Sequence, residues 1–401
     1  MEQSMEQRRR PRPGRRSGLR VGRVFGVPLY LNASILLLAL LITVLYGELA
    51  GQRLQLSPVG GYLVGAGFVV SLLGSVLAHE LGHALTARHF GIGVRGITLE
   101  LLGGYTEMDR DAPSPRVDLL VSLAGPAVSA VLGVAAVAAT LALPDGTVAD
   151  QLAFQLAASN VIVAVFNILP GLPLDGGRAL RAAVWAVTRD RHLATEVAGW
   201  AGRVVAVGTA LLVALLYAAD VLSLVALPLT VLVALTLWHG AGQAIRLSRI
   251  GRRLPLIDLA RLARPVFAVP TGTPLAEAQR RAAAAPQGGP ETAPEHRAAA
   301  PERPAALLVT DSAGRPVAVV DPAAAAAVPE ARRPWLAVDA VARSVADLPT
   351  MPVATDGEQV LETVQAHPGA QYVVTAGEDV VGILHIADLA QLLEPHRKMN
   401  T

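Results

Sequence analysis

The chain is 401 residues long, 52% apolar and 16% charged, with a formal net charge of +2 and no cysteine. These proportions argue against one soluble globule and for a multi-span membrane protein. The missing cysteine excludes disulfides and thiolate metal sites, so any metal must be held by histidine and carboxylate.

The stretch "RRRPRPGRRSGLRVGR" at residues 8–23 places eight arginines ahead of the first apolar run. No clean small-residue cleavage site follows, so residues 1–25 read as a retained basic arm on the cytoplasmic side. Nucleic acid is the rival partner for such an arm. An apolar span starts directly after it, and no nucleic-acid partner is expected.

Six apolar segments follow, near residues 31–49, 61–85, 119–143, 151–169, 198–219 and 221–238. Each is long enough, or nearly so, to cross a hydrocarbon core of about 30 Å. Arg95, Arg110 and Arg116 fall between the second and third; Arg178, Arg181, Arg189 and Arg191 between the fourth and fifth; Arg246, Arg249, Arg252 and Arg253 after the sixth. The links "PDGTVADQ" and the short turn near Asp220 carry no Lys or Arg, which predicts both chain ends in the cytoplasm.

Inside the second segment, "LAHELGHAL" (77–85) sets two histidines and a glutamate where an ionisable group costs a few kcal/mol. His79 and His83 are four apart, about 400° of helical rotation, so both imidazoles leave one helix face within reach of one ion. Zinc suits imidazole nitrogens, and an open zinc site takes three protein ligands plus water. Glu80 is placed to take that water's proton, which is the HExxH pattern of zinc hydrolases. A chance match on a solvated helix is the bland alternative, and it weakens inside an apolar span. His89, beside Arg88, reads as an interfacial side chain reaching for the membrane edge.

A third ligand is offered by "FNILPGLPLDGGRALR" (166–181). Pro170 and Pro173 break the helix ahead of Asp175, and Gly176 and Gly177 let the backbone come close to whatever Asp175 binds. Irregular backbone at membrane depth is tolerated only beside protein or a watery cavity. A plain helix cap at Asp175 is the alternative.

After Pro255 the apolar runs stop and a soluble α+β module begins. Within it, residues 285–304 are a low-complexity insertion expected to be disordered. Two similar stretches flank it: "VFAVPTGTPLAEAQ" leading to "AALLVTDSAGRPVAVVDP", and "LPTMPVATDGEQVLETVQ" leading to "AQYVVTAGEDVVGILHIADLAQLL". Each reads as extended segment, helix, strand, turn, strand, helix, which predicts an internal duplication.

"HELGH" in one span and "NILPGLPLDGG" two spans later resemble the site-2 protease family of intramembrane zinc metalloproteases. The resemblance spans residues 20–395 and is to its prokaryotic branch, with a six-span core and a cytoplasmic pair of cystathionine-β-synthase-type (CBS) repeats. It implies a polytopic α-helical membrane protein with a membrane-associated β-hairpin, followed by a CBS pair. The domains would be 1–25, 26–250 and 255–395. It implies one zinc ion per chain on His79, His83 and Asp175, Glu80 as general base, and Asn167 as a polar group near the substrate carbonyl.

"GITLELLGGYTEM" (96–108) resembles the family's hairpin, with Gly103 and Gly104 beside the substrate; a cytoplasmic loop is the alternative reading. "SLAGPAVSAVLG" resembles a Gly-Pro span start that many members follow, three residues on, with asparagine. Here Gly125-Pro126 is followed by Ser129.

In the rear module Asp388 stands at the acidic position that would bind a ribose, while His385 occupies a place usually held by Thr or Ser. An adenine nucleotide is the partner this implies, with a structural or dimerising scaffold as the alternative. The resemblance further implies regulated cleavage of a transmembrane substrate such as a membrane-bound anti-sigma or transcription factor. A CBS-regulated ion transporter using the same His/Asp site is the rival from another class. Basicity from arginine, with Lys398 the single lysine, and heavy alanine use point to a bacterial source.

Overall fold

The computed structural model describes residues 18–100, 103–221, 227–285 and 304–393. Most of the basic arm and of the predicted insertion, and Lys398, lie outside the described residues. The chain divides into two units, Met1–Ser248 and Arg249–Thr401.

The first unit opens with a feature that sequence reading gave to the basic arm. Leu19–Val24 (β1) pairs antiparallel with Val27–Leu31 (β2). Phe25 and Gly26 both take positive φ between the paired Val24 and Val27, the backbone of a two-residue hairpin turn. Strand β2 then runs parallel to Val94–Glu100 (β3), and β3 pairs antiparallel with Gly103–Met108 (β4). The expected hairpin at 96–108 is therefore half of a four-stranded sheet in the order β1-β2-β3-β4, with β4 at its edge.

Among the described residues five helices are long and apolar enough to cross a membrane: Ser34–Arg53 (α1), Pro58–His89 (α2), Pro115–Ala142 (α3), Val148–Ile168 (α4) and Arg191–Ala218. Between the last two lies the short helix Asp175–Thr188 (α5), so Arg191–Ala218 is α6. The starts follow from local chemistry. Ser57 and Ser114 each accept a backbone N–H of the first turn, with proline next in sequence, and Thr147 caps α4 in the same way. Helices α1 and α2 meet through glycines: a Cβ on Gly47 would lie 2.9 Å from the Gly61 carbonyl oxygen. Small residues let helix backbones approach in this way where lipid gives no hydrophobic drive. Leu36 and Leu40 on α1 point outward, 70% and 63% exposed, as a lipid-facing surface requires.

The sixth predicted span, 221–238, falls partly on residues outside those described. The rest enters Leu227–Arg253 (α7), a helix whose second half carries Arg246, Arg249, Arg252 and Arg253. Among the described residues it lacks an uninterrupted apolar window of crossing length.

The second unit contains a short helix, Leu259–Leu262 (α8), and two sheets of like connectivity. Val266–Pro270 (β5) is followed by Leu275–Ala284 (α9), then Ala306–Thr310 (β6), Pro316–Val320 (β7) and Pro322–Ala327 (α10). Strand β6 is parallel to β5 and antiparallel to β7, and Ala342–Ser344 (β8) adds to the outer side of β7. The sequence Thr350–Pro352 (β9), Gly357–Ala366 (α11), Gln371–Ala376 (β10), Asp379–His385 (β11) and Ile386–Leu393 (α12) repeats that order. Here β10 is parallel to β9 and antiparallel to β11. Leu308 and Val319 of the first sheet pack with Val373 and Ile383 of the second in one buried cluster.

Candidate metal centre

The centre is built on α2, α3 and the start of α5. His79 and His83 are 5% and 3% exposed. Their Nε2 atoms lie 3.2 Å apart, and Asp175 Oδ2 stands 3.1 Å from the first and 3.2 Å from the second. Three donor atoms thus converge on one point, and among the described residues these are the ones grouped as a metal set.

The donor set fits zinc in two ways. A tetrahedral site with bonds of about 2.0–2.1 Å has ligand–ligand edges of roughly 3.3 Å, close to the spacing here. Each imidazole also presents Nε2 to the centre while its other nitrogen is engaged. His79 Nδ1 is 2.9 Å from Ser129 Oγ, and His83 Nδ1 donates to the Val121 carbonyl at 2.7 Å. Such outer partners fix the ring and the tautomer of a metal-binding histidine. Ser129, three residues after Gly125-Pro126, therefore holds His79 in place.

Asp175 reaches the histidines because main chain packs on main chain behind it. Gly176 lies against the Ile168 carbonyl, Gly177 against Gly171, and Gly202 of α6 against Leu172, each too close for any Cβ. The Leu172 N–H donates to the Ala198 carbonyl on α6. Asp175 is the first residue of α5, and its carboxylate serves the histidines rather than a cap.

Glu80 is 5% exposed, on the same turn of α2 as His79. The Thr106 hydroxyl of β4 donates to its Oε2 at 2.7 Å. A Cβ on Gly104 would fall 2.9 Å from Glu80 Cγ and 3.2 Å from Oε1, so only glycine lets the strand run this close. Gly103 has φ +139°, another backbone state that favours glycine. Gly104 thus stands at the site, with Gly103 opposite Glu100 at the hairpin end. Beside Thr106 opens a polar cavity of about 510 Å³, whose wall includes Asp111, Asp118, Arg178 and Arg181.

The other predicted site residues lie elsewhere. Asn167 is half-buried in the last turn of α4. Asn160, seven residues earlier, is a buried amide of that helix and donates to Ser75 Oγ of α2 at 3.0 Å. His89 is exposed at the end of α2, against the Phe90 ring. In the second unit Asp388 is 6% exposed, and both its carboxylate oxygens accept from Arg264, at 2.8 and 3.1 Å. Asp118 was missed as a site residue: it is fully buried and holds Arg181 through both oxygens. Its position between two apolar stretches was the available signal.

Comparison with known proteins bears directly on this centre. Residues 67–158 and 143–215 match the profile of Peptidase family M50. The match covers the HExxH motif, Ser129 and the Asp175 loop. Rip3 of Mycobacterium tuberculosis, named as a candidate zinc metalloprotease, is 40% identical over 200 residues, 48% of this chain and 50% of its own. The protein sll0528 of Synechocystis sp., named in the same terms, is 36% identical over 187 residues, 47% of this chain and 49% of its own. The chain thus spans about half the length of these relatives. A solved site-2 protease from Methanocaldococcus jannaschii aligns with a TM-score of 0.41 and 24% identity, over 57% of this chain and 95% of that one. Five apolar helices and the M50 match together describe a multi-pass membrane protein.

Proposed function

We propose that this chain is an intramembrane zinc endopeptidase that hydrolyses a peptide bond in or near a transmembrane segment of another membrane protein. The observation that carries the reading is the convergence of His79, His83 and Asp175 on one point, with Glu80 beside them, inside an apolar span. An ion transporter would spread its polar groups along a pathway; here they gather at one centre, and the M50 match favours the protease.

A bound zinc ion would supply Lewis-acid polarisation of the scissile carbonyl and a water acidic enough to ionise near neutral pH. The chain's own residues do the rest. Glu80 takes the proton from water and returns it to the leaving amine. Thr106 occupies Oε2 and so aims Oε1 past Gly104, where the missing side chain leaves room. Strand β4, with Gly103 and Gly104, offers an open sheet edge to an unwound substrate, whose freed backbone groups need partners within the bilayer. Asn167 is assigned to the same substrate path.

The finer assignments belong to the same proposal. Residues 221–238 complete six spans, with both ends in the cytoplasm by the arginine distribution. The like connectivity of the two sheets in the second unit supports a CBS-type pair, with dimerisation as one role for it. An adenine nucleotide would reach Asp388 only by displacing Arg264. A membrane-bound regulator, such as an anti-sigma or transcription factor, is the proposed substrate, in a bacterial cell membrane.

The test compares cells carrying the wild-type chain with cells carrying Glu80→Gln. Membrane proteins that accumulate uncut only in the variant are the substrates. Equal cleavage of all membrane proteins in both strains would overturn the assignment.

A further inference from the structure

We infer that Asp118, acting through Arg181 and Arg178, is the positioning residue that sets the Asp175 ligand against the two histidines. This rests on the metal-site reading above and adds a residue to it.

Helix α3 supports the site through one buried face. Asp118, Val121, Ser122, Gly125 and Ser129 are all buried there, at spacings that place them on one side of a helix. The Val121 carbonyl holds His83, the Ser129 hydroxyl neighbours His79, and Gly125 lies under both rings with no room for a Cβ. This face thus registers two of the three ligands. Asp118 ends the stripe and reaches the helix that carries the third.

The contact is a fork. Arg181 Nε meets Oδ2 at 3.0 Å and Nη2 meets Oδ1 at 2.7 Å, while Arg178 Nη2 stands 3.6 Å from Oδ1. A carboxylate with no solvent exposure is costly unless paired and hydrogen-bonded, and a planar two-pronged pair fixes orientation as well as distance. Arg178 and Arg181 lie three and six residues beyond Asp175, within about 9 Å along the axis of a helix rising 1.5 Å per residue. Rotation of α5 by one residue, about 100°, would break the fork and swing Asp175 away from the histidines. The glycine contacts of Gly176 and Gly177 stop the start of α5 from withdrawing; the Asp118 fork stops it from turning.

The experiment uses the full chain purified in membrane mimetic, with zinc affinity read by chelator competition, the visible spectrum of the cobalt-substituted protein, and thermal unfolding of the metal-free protein. Asp118→Asn should bind zinc at least tenfold more weakly, within the 10–100-fold expected for an outer-shell partner, and should alter the cobalt bands. Arg181→Lys, which keeps charge and loses the fork, should weaken zinc in the same direction, and Asp118→Glu should recover part of the loss. Arg191→Gln, which breaks the Arg191–Asp111 ion pair at the start of α6, should leave zinc affinity unchanged. Wild-type zinc affinity and cobalt bands in Asp118→Asn, whatever its stability, would overturn the inference. Should Asp118→Asn fail to fold, unchanged affinity in Arg181→Lys has the same force. A wild-type chain that takes up no zinc would overturn the metal reading itself, a separate result.

Discussion

Gly125→Ala adds one methyl group at the point where α3 supports both imidazoles. The new Cβ would stand 2.6 Å from His79 Nε2 and His83 Cε1, and closer still to His83 Nε2. Ordinary contact begins near 3.4 Å, so at least one ring must retreat by 0.8 Å or more, the difference between 3.4 and 2.6. Neither can do so freely. The other nitrogen of each ring is tied to α3 itself, at Val121 and Ser129, and Asp175 Oδ2 stands 3.1–3.2 Å away on the open side. A misplacement of about 1 Å in such a site costs on the order of 10²-fold in rate. Zinc affinity should fall about 10–100-fold, as for loss of an outer-shell contact. The fold itself should survive, because alanine is the better helix former by about 1 kcal/mol. The assay is zinc competition with a chelator, beside cleavage of a helical membrane substrate in reconstituted lipid. Gly74→Ala on α2, where a Cβ meets nothing within 4 Å, is the control and should change neither quantity. Zinc affinity and cleavage at wild-type levels in Gly125→Ala would refute the packing argument.

Glu80→Gln should retain zinc, measured by metal analysis, yet lose at least about 10²-fold in cleavage, the scale of a general base. Asp175→Ala should lower both zinc content and activity while the apolar helices keep their circular dichroism; full zinc occupancy would place the third ligand elsewhere. Ser129→Ala should weaken zinc about tenfold or more through the freed His79 ring, and Ser129→Asn should restore most of it. Burial, with the Arg264 guanidinium next, holds His385 below the ordinary imidazole range, against smaller opposing effects of Asp388 and Asp321. The unfolded chain therefore takes up a proton near pH 6.5 that the folded unit resists, and stability falls as pH drops below about 6.5. Thermal unfolding followed between pH 7.5 and 5 should show that fall, flattened in His385→Gln.

Among the described residues five of the six expected spans were legible, because a bilayer demands length and apolarity, which sequence displays directly. The cluster of His79, His83 and Asp175 was legible because ionisable side chains at that depth need a reason. Two kinds of feature were hidden. Strand β1 carries Arg20 and Arg23, so its alternation was masked by the charge of the arm around it. Arg178 and Arg181 were read as markers of the cytoplasmic side, a role set by charge alone. The structure puts the same two guanidiniums on one buried carboxylate, and only three-dimensional packing brings Asp118 to Arg181 across 63 residues. Ser129 looked like a departure from a motif, yet a hydroxyl at that helical position still reaches His79.

The loop that carries Asp175 joins α4, α5 and α6 by glycine backbone set against backbone, at Gly171, Gly176, Gly177 and Gly202. A joint of that kind has no rotamers. Side chains elsewhere in the bundle can repack by small steps when lipid thickness or temperature changes, but main chain resting on main chain has no intermediate fit to adopt. The carboxylate is thereby insulated from the softness of its surroundings, and the joint either holds or parts. Directed improvement of heat tolerance by replacing helix glycines with alanine, useful at positions such as Gly74 and Gly208, is closed at these four residues.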